Sequence, residues 1–328
     1  MYNKDITTGK QLFSCIRKEL ALFEDEYNKQ LQTDNTLLNP VLDYIIEKKG
    51  KRIRPIVYFL SQGLIAKPDL QSISLAVLIE ILHTASLIHD DVVDRSSKRR
   101  GSDTLNTVWN NKVSVLMGDY LLAKVLEIGV AHPSKRVLEL ISQVVLKMGE
   151  GELHHALKDV DVSFSTEEYL TVVRNKTAGL FSAACELGGL AVSASQDQIK
   201  RLCELGENTG ISFQIRDDIL DLNGSFGRMG KPSGQDFLNG TVTLPVIYAM
   251  EEALAQGEAM HYSEIRSRYF VGDTWIKDFV ERYGGIEKAR IQIEAFSNRA
   301  IDLLRIFEPS IYRDAFEELI VNGCVRSE

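Results

Sequence analysis

Several features of secreted, membrane-spanning and nucleic-acid-binding proteins are missing from this sequence. Its four cysteines, at positions 15, 185, 203 and 324, are scattered and include no Cys-x-x-Cys pair. This distribution argues against structural zinc or a disulfide framework and favours a reducing, cytoplasmic location. There is no signal-peptide pattern and no run of eighteen apolar residues, so we expect no membrane span. The net charge of −8 gives little reason to expect nucleic-acid binding.

Interdomain linkers and strand-like alternation are equally scarce. Only seven prolines occur in 328 residues, and no Gly/Ser/Pro-rich segment divides the chain. Apolar residues recur mostly at three- and four-residue spacing, which is typical of amphipathic helices. Ser134, Ser165 and Ser195 precede such runs and are expected helix N-caps. We therefore expect an all-α fold, with residues 1–328 forming a single domain of about 10–14 helices around a central cavity.

Two acidic segments with the same internal spacing are the most informative positive feature. Residues 90–94 and 217–221 both read Asp-Asp-x-x-Asp, and each follows an apolar, helix-periodic run. Positions i and i+4 share a helix face, so Asp90 pairs with Asp94 and Asp217 with Asp221. Carboxylates held this close repel one another unless a cation neutralises them. Because Mg²⁺ prefers oxygen ligands and often binds substrate phosphates, the pattern predicts a magnesium–diphosphate site.

Basic residues near these segments supply the opposite charge that such a site needs. Lys51 and Arg54 are three positions apart, and we expect them on one face of a starting helix turn. Arg binds phosphate oxygens through two parallel hydrogen bonds, whereas Lys acts as a mobile point charge. Clustered cations in an acidic chain indicate small anionic substrates. The other members of this group are Arg99, Arg100, Lys176 and Lys231.

These motifs resemble those of the trans-isoprenyl diphosphate synthases, the polyprenyl synthetase family, and within it the medium- and long-chain enzymes such as heptaprenyl and octaprenyl diphosphate synthases. The matching segments extend over nearly the whole chain and are residues 50–55, 83–91, 118–123, 213–221, 230–232, 240–245 and 283–289. The resemblance implies the all-α isoprenoid synthase fold in one polyprenyl synthetase domain. It also implies a homodimer, and a long apolar product implies at most peripheral contact with the membrane surface.

The resemblance further implies how two substrates are held. Three Mg²⁺ ions would bind the diphosphate of an allylic substrate through Asp90, Asp94 and Asp217, supported by Asp91, Asp218 and Asp221. The same diphosphate would contact Arg99, Lys176, Gln214 and Lys231. The second substrate, isopentenyl diphosphate, would be bound without metal by Lys51, Arg54, His83 and Arg100.

The implied reaction is a repeated head-to-tail condensation. Departure of diphosphate leaves an allylic carbocation, which the double bond of isopentenyl diphosphate attacks. A proton is then lost to the released diphosphate, and the all-trans chain is longer by one five-carbon unit. The catalytic candidates are Lys176, Thr177 and Gln214, of which the last two would stabilise the cation through their oxygen dipoles.

Two positions depart from the family pattern. Thr241 stands where many relatives have Lys, so one contact to the allylic diphosphate is absent or is supplied by Lys231. His155 stands where many relatives have Gln, and it retains the ability to donate a hydrogen bond.

Small side chains before the first acidic motif predict a long hydrocarbon pocket. If the helix ending at Asp90 forms the pocket wall, Ala85 and Ser86 lie where short-chain synthases commonly have a bulky aromatic residue. Leu82 lies deeper on the same wall, and residues 70–89 include no aromatic side chain. On the neighbouring helix, Leu126 takes a position where Phe would close the pocket. Twenty helical residues extend about 30 Å, so we expect a product of about six to ten isoprene units (C30–C50), with seven or eight favoured.

Four alternatives remain at this stage. An aromatic residue from elsewhere could close the pocket and give a short-chain (C15–C20) synthase. A class I terpene cyclase shares one acidic motif but needs no second diphosphate site. The Glu-x-x-His spacing at Glu80/His83 and Glu152/His155 occurs in ferritin-like di-iron proteins, although this reading leaves both acidic motifs unexplained. A catalytic subunit that requires a partner chain is compatible with all six aspartates.

Overall fold

The structure, a computed structural model, describes residues 13–99, 101–157, 165–222, 242–258 and 275–325, without the side chains of residues 154–156, 324 and 325. Arg100, Lys231 and Thr241 and the side chain of His155 lie outside the described residues. The described chain is predominantly α-helical, as the periodicity predicts. Its α-helices are α1 (Arg17–Gln30), α2 (Asn39–Glu47), α3 (Ile53–Gly63), α4 (Ile73–Val93), α5 (Leu105–Val108), α6 (Asn111–Ala131), α7 (Lys135–Leu157), α8 (Thr166–Val173), α9 (Gly179–Ala191), α10 (Gln196–Leu222), α11 (Leu244–Ala255), α12 (Trp275–Arg282), α13 (Gly285–Leu304) and α14 (Ile311–Ile320).

Short elements join these helices. Strands β1 (Lys98–Arg99) and β2 (Ser102–Asp103) form an antiparallel hairpin directly after the first acidic motif. Turns of 3-10 helix lie at Ser14–Ile16 and Leu70–Ser72. A π-helical turn at Arg174–Ala178 joins α8 to α9, and another at Val321–Val325 follows α14.

Helix α4 lies at the centre of the fold, packed along α6. Leu75, Leu78 and Ile81 on different sides of α4 are all fully buried, because its sequence is apolar nearly all round. The segment Leu70–Val93 is long and apolar enough to cross a membrane, contrary to the expectation of no such segment, and 61% of its most apolar window is buried inside the protein. That burial is what a core helix of a globular protein shows.

Helix starts follow the predicted capping positions. Ser165 forms a capping box with Glu168, each side chain accepting from the other residue's backbone N–H. Ser195 accepts from the N–H of Gln198 at 3.3 Å and starts α10 in the same way. Helix α7 begins directly after Ser134. All three predicted helix starts are therefore confirmed.

The helix after the first basic segment begins later than expected. Helix α3 starts at Ile53, and Arg52 before it has left-handed backbone angles, φ 54° and ψ 35°. Lys51 consequently precedes the helix and is exposed. The expectation that Lys51 and Arg54 share one helical face was wrong, because a left-handed residue between them interrupts the helical repeat.

Helices α9 and α10 approach closely because glycine occupies their contact. A Cβ added at Gly206 of α10 would lie 2.6 Å from the carbonyl oxygen of Phe181 and 2.8 Å from the Cα of Ser182. Both atoms belong to the α9 backbone, which moves only if the helix moves. Since α9 follows the π-turn directly, this contact also fixes the position of that turn.

We predict that Gly206→Ala destabilises the protein by about 1–3 kcal/mol through this steric overlap. Gly149→Ala on α7 is the matched control, because an added Cβ there meets nothing within 4 Å. The control should be neutral or stabilising by up to about 1 kcal/mol, since Ala favours helix over Gly. Urea unfolding of both variants measures the difference, and equal stabilities would contradict the close-approach account.

Candidate active site

Each acidic motif lies at or near the C-terminal end of a long central helix. Asp90 is within the last turn of α4, and the N–H of Asp94 donates to the Asp90 carbonyl oxygen at 2.8 Å. The first pair therefore keeps helical i, i+4 stacking. Asp217 and Asp221 lie inside α10, with Asp217 partly exposed and Asp221 9% exposed. The predicted pairing on one helix face is present in both motifs.

The π-turn Arg174–Ala178 contacts the first motif directly and reaches the second through Gln214. The Nζ of Lys176 is 3.6 Å from Oδ2 of Asp90. On the other side, Thr177 Oγ1 donates to Gln214 Oε1 at 2.8 Å, and Gln214 Nε2 donates to Asp218 Oδ1 at 2.9 Å. π-bulges are rare and frequently mark functional sites, because they change the direction of side chains within a helix. Here the bulge places Lys176 and Thr177, the two catalytic candidates in this segment, between the acidic motifs.

Glu152 is a site residue that the sequence analysis did not assign. Its Oε1 is 2.5 Å from Lys176 Nζ, closer than Asp90 is. Burial of the Asp90 carboxyl raises its pKa to about 6, although the nearby Lys176 ammonium acts in the opposite direction. Burial also opposes the Lys176 charge, but Asp90 and Glu152 outweigh it and raise the pKa of Lys176. Lys176 is therefore a cation shared between two carboxylates.

The second aspartate of each motif is buried and hydrogen-bonded within the protein. Asp91 is 6% exposed and accepts a hydrogen bond from Arg99 Nε at 2.8 Å. Asp218 is 3% exposed and accepts from the Tyr169 hydroxyl at 2.6 Å as well as from Gln214. These two carboxylates thus fix neighbouring side chains, which fits the supporting roles expected of them.

The hairpin that carries Arg99 is held in place by α2. The Tyr44 hydroxyl donates to the Asp103 carbonyl oxygen at 2.6 Å, and Lys48 Nζ donates to Ser102 Oγ at 3.3 Å. Tyr44 also meets the Trp109 ring edge-on, with ring centroids 5.3 Å apart. Arg99 is therefore fixed from both sides, by Asp91 and by the anchored hairpin.

The described residues expected to bind isopentenyl diphosphate lie just before α3, on α3 and on α4. Arg54 on α3 lies over the Phe181 ring of α9, 5.2 Å from its centroid. His83 on α4 is partly exposed. Arg52 Nη1 donates to Glu80 Oε1 at 3.0 Å, one helical turn before His83, which joins the segment around Lys51 to α4.

The residues expected to line the hydrocarbon pocket lie on α4, which packs along α6. Leu82 and Ala85 are buried, and Ser86 Oγ donates to the His83 carbonyl oxygen at 2.8 Å. The two helices run antiparallel. A Cβ added at Gly118 would overlap the His89 ring, and one at Gly129 would be 3.8 Å from Leu78.

One pocket expectation was wrong. Leu126 is 52% exposed on the outer side of α6, so it takes no part in closing an internal pocket. The buried residues of α6, among them Met117, Leu121, Val125 and Ile128, recur at three- and four-residue spacing and form a different face from that of Leu126. Which face packs on α4 follows from tertiary packing that the α6 sequence alone does not reveal.

The described geometry gives the di-iron alternative no support. Glu80 accepts from Arg52, and Glu152 is paired with Lys176. Among the residues that the structure describes, no three His, Cys, Asp or Glu side chains converge closely enough to hold a metal ion by themselves. The two Glu-x-x-His segments therefore do not form a shared metal site in the described chain.

Comparison with known proteins identifies this arrangement. The family model described as polyprenyl synthetase matches residues 35–269. The chain belongs to the polyprenyl synthetase family. Component 2 of a heptaprenyl diphosphate synthase from Geobacillus stearothermophilus is 36% identical, over 74% of this chain and 76% of the relative. An octaprenyl diphosphate synthase from Escherichia coli (strain K12) is 32% identical, over 88% and 89%.

Solved structures of family members have the same fold. A polyprenyl synthase from Caulobacter crescentus, complexed with calcium and isoprenyl diphosphate, superposes with a TM-score of 0.85 at 28% identity and covers 97% of each chain. A geranylgeranyl pyrophosphate synthetase from Pyrococcus horikoshii reaches a TM-score of 0.87 at 30% identity and covers 98% of this chain and 100% of that one.

The family assignment decides between the classes left open by the sequence. The chain is an all-α prenyltransferase of isoprenoid biosynthesis that lengthens allylic diphosphates. The terpene cyclase and di-iron alternatives are therefore rejected.

We predict that Tyr169→Phe costs about 1.5–3 kcal/mol of unfolding free energy, because the buried Asp218 carboxylate loses a charge-assisted hydrogen bond. Tyr312→Phe is the control, since no described residue forms a hydrogen bond with that hydroxyl. Chemical denaturation compares the two. A Tyr169 variant as stable as the control would contradict a structural role for this contact.

Proposed function

We propose that this chain condenses isopentenyl diphosphate repeatedly with farnesyl or geranylgeranyl diphosphate to form an all-trans polyprenyl diphosphate of about C30–C50. The observation that carries the proposal is the π-turn between two Asp-Asp-x-x-Asp motifs, with Lys176 and Thr177 directed to opposite sides of it. A separate basic group, Lys51 and Arg54 with His83 nearby, provides for a second diphosphate without using the acidic residues.

The acidic residues fit a site for divalent ions shared with substrate. Asp90, Asp94, Asp217 and Asp221 would hold Mg²⁺, and we propose three ions by family resemblance. The raised pKa of Asp90 reflects the cost of burying its carboxylate, and a nearby cation would remove that cost. No three candidate ligand side chains converge among the described residues, so substrate diphosphate oxygens would complete the shell of each ion, as is usual for Mg²⁺. When bound, such ions neutralise charge on the departing diphosphate.

The side chains of the π-turn then serve the reacting carbons. The bond between the allylic carbon and diphosphate oxygen breaks, and the electron pair leaves with diphosphate, which Lys176 and Arg99 contact. Thr177 Oγ and Gln214 Oε1, fixed to each other at 2.8 Å, present oxygen dipoles to the carbocation. The double bond of isopentenyl diphosphate forms the new carbon–carbon bond, and the released diphosphate takes the proton.

Secondary proposals concern assembly and location. We propose a homodimer whose interface is the apolar outer face of α6 and α7, where Leu116, Leu126, Val130, Leu146 and Leu153 are each more than half exposed. A monomer mass near 36.8 kDa by light scattering would contradict it. We further propose one domain and a cytoplasmic location, with the membrane contacted at most at its surface.

The reaction is tested by incubating the purified protein with Mg²⁺, labelled isopentenyl diphosphate and farnesyl or geranylgeranyl diphosphate, then sizing the dephosphorylated products. A ladder that ends between about C30 and C50 is expected from the aliphatic pocket wall. Products of C20 or shorter would support the condensation reaction but overturn the proposed product length. No incorporation by the isolated chain, but incorporation in a mixture with a second subunit, would indicate a two-component enzyme.

We predict that Ser86→Phe, and likewise Ala85→Phe, shortens the product to about C15–C20, because a ring one turn before Asp90 would block the pocket. Ser86 is the better site, since it is only partly buried whereas Ala85 is fully buried. Leu254→Phe, at a position 68% exposed on α11, is the control. An unchanged product length in a folded Ser86 variant would show that α4 does not form the pocket wall.

We predict that Glu152→Gln raises the Mg²⁺ concentration for half-maximal turnover about three- to tenfold. Without Glu152, the Lys176 ammonium would pair with Asp90 alone and compete with the metal. Glu150→Gln removes the same charge from an exposed site on the same helix and should change little. The idea is wrong if the two variants have equal Mg²⁺ requirements, measured by turnover and by Mg²⁺-dependent shift of melting temperature.

A further inference from the structure

The segment that carries Lys51 is tied at both ends to one carboxylate. Glu24 on α1 accepts from Arg52 Nε at 2.9 Å through Oε1, and its Oε2 lies 3.1 Å from Lys49 Nζ. Gly50 and Lys51 therefore form a short bridge between two anchored residues. Lys51 itself is exposed, so the anchors leave the ammonium group directed away from the protein interior.

Arg52 extends this anchor into the core. Its side chain is 11% exposed, and Nη1 donates at 3.0 Å to Glu80, whose side chain is 5% exposed. The guanidinium carbon lies 4.3 Å from the centroid of the Tyr27 ring, a cation–π distance. The Tyr27 hydroxyl lies 3.2 Å from Thr84 Oγ1, and Thr84 directly follows His83.

The backbone of Arg52 is strained in a way that these contacts explain. A φ of 54° is costly for a residue with a Cβ, and such strain persists only where the surroundings impose it. Two carboxylates and an aromatic ring hold the guanidinium, so the backbone cannot relax to an ordinary helical start. The left-handed residue gives the chain the change of direction that separates Lys51 from Arg54.

We propose that Arg52 and Glu24 are positioning residues for the isopentenyl diphosphate site, which they serve by holding Lys51, Arg54 and His83 in one arrangement. The inference rests on the proposed function, because it takes those three residues as the ligands of that diphosphate. Arg52 contacts no substrate in this account. Its guanidinium points to α1 and α4, and it acts through the backbone on both sides of it and through Glu80 and Thr84.

The test compares Arg52→Lys and Glu24→Gln with a matched pair elsewhere. Lys retains the charge but cannot donate to two carboxylates in a fixed fork. Arg136→Lys and Glu186→Gln are the controls, because Arg136 donates to the buried Glu186 at 2.8 and 2.7 Å between α7 and α9. Each variant is assayed for both KM values, kcat and melting temperature. Isopentenyl diphosphate binding is also measured by calorimetry without metal.

Arg52→Lys and Glu24→Gln should raise the KM and the dissociation constant of isopentenyl diphosphate about tenfold. The KM of the allylic substrate and kcat should stay within about twofold, because the acidic motifs are untouched. The control variants should lose stability alone. Glycine at position 52 adopts left-handed angles without strain. The Arg52→Gly variant should nevertheless have reduced affinity for isopentenyl diphosphate, because the guanidinium contacts are lost.

Two results would overturn the inference. One is unchanged isopentenyl diphosphate affinity in folded Arg52→Lys and Glu24→Gln proteins whose wild type elongates normally. The other is a parallel change of both KM values, kcat and stability that matches the control variants, which would indicate a purely structural ion pair. If Arg52→Lys does not fold, Glu24→Gln carries the comparison, because the Glu24 side chain is 26% exposed. Failure of the wild type to incorporate isopentenyl diphosphate would instead refute the proposed function.

Discussion

Repulsion among carboxylates is the constraint on which this site depends. Six aspartates lie at the ends of α4 and α10, and the fold must hold them together before any substrate arrives. It does so by giving the second aspartate of each motif hydrogen-bond partners. Asp91 accepts from Arg99, and Asp218 accepts from Gln214 and Tyr169. Lys176 is shared between Asp90 and Glu152. Under the proposed function, metal and diphosphate would neutralise the first and last aspartates of each motif.

The cations of the site fall into two groups according to burial. Arg52 is enclosed by Glu24, Glu80 and Tyr27 and stabilises the protein's own architecture. Lys51 is exposed, whereas Lys176 is partly exposed and would exchange its pairing with Glu152 and Asp90 for contact with a diphosphate. Under the proposed function, this division would let a chain of net charge −8 bind two anionic substrates at separate positions.

Much of this arrangement could be predicted from the sequence, because it is local. Helical periodicity gave the all-α fold, Ser165 gave a helix start, and i, i+4 spacing gave the aspartate pairs. What could not be predicted depends on contacts between distant segments. No residue preference in the sequence marks the π-turn at 174–178. Glu152 is recognisable as a site residue only by its distance to Lys176. Leu126 faces outward because another face of α6 packs on α4. The left-handed Arg52 is held by α1 and α4, neither of which adjoins it in sequence.

The central claim is that the two acidic motifs bind divalent ions together with a diphosphate, and manganese binding tests it directly. Mn²⁺ would be titrated into the protein with and without an unreactive thiolodiphosphate analogue of farnesyl diphosphate, with free Mn²⁺ followed by electron paramagnetic resonance. The account predicts weak binding to the protein alone and tight binding of three ions when the analogue is present, lost in Asp90→Asn and Asp217→Asn. Equal Mn²⁺ binding with and without the analogue, or binding that survives both substitutions, would contradict it.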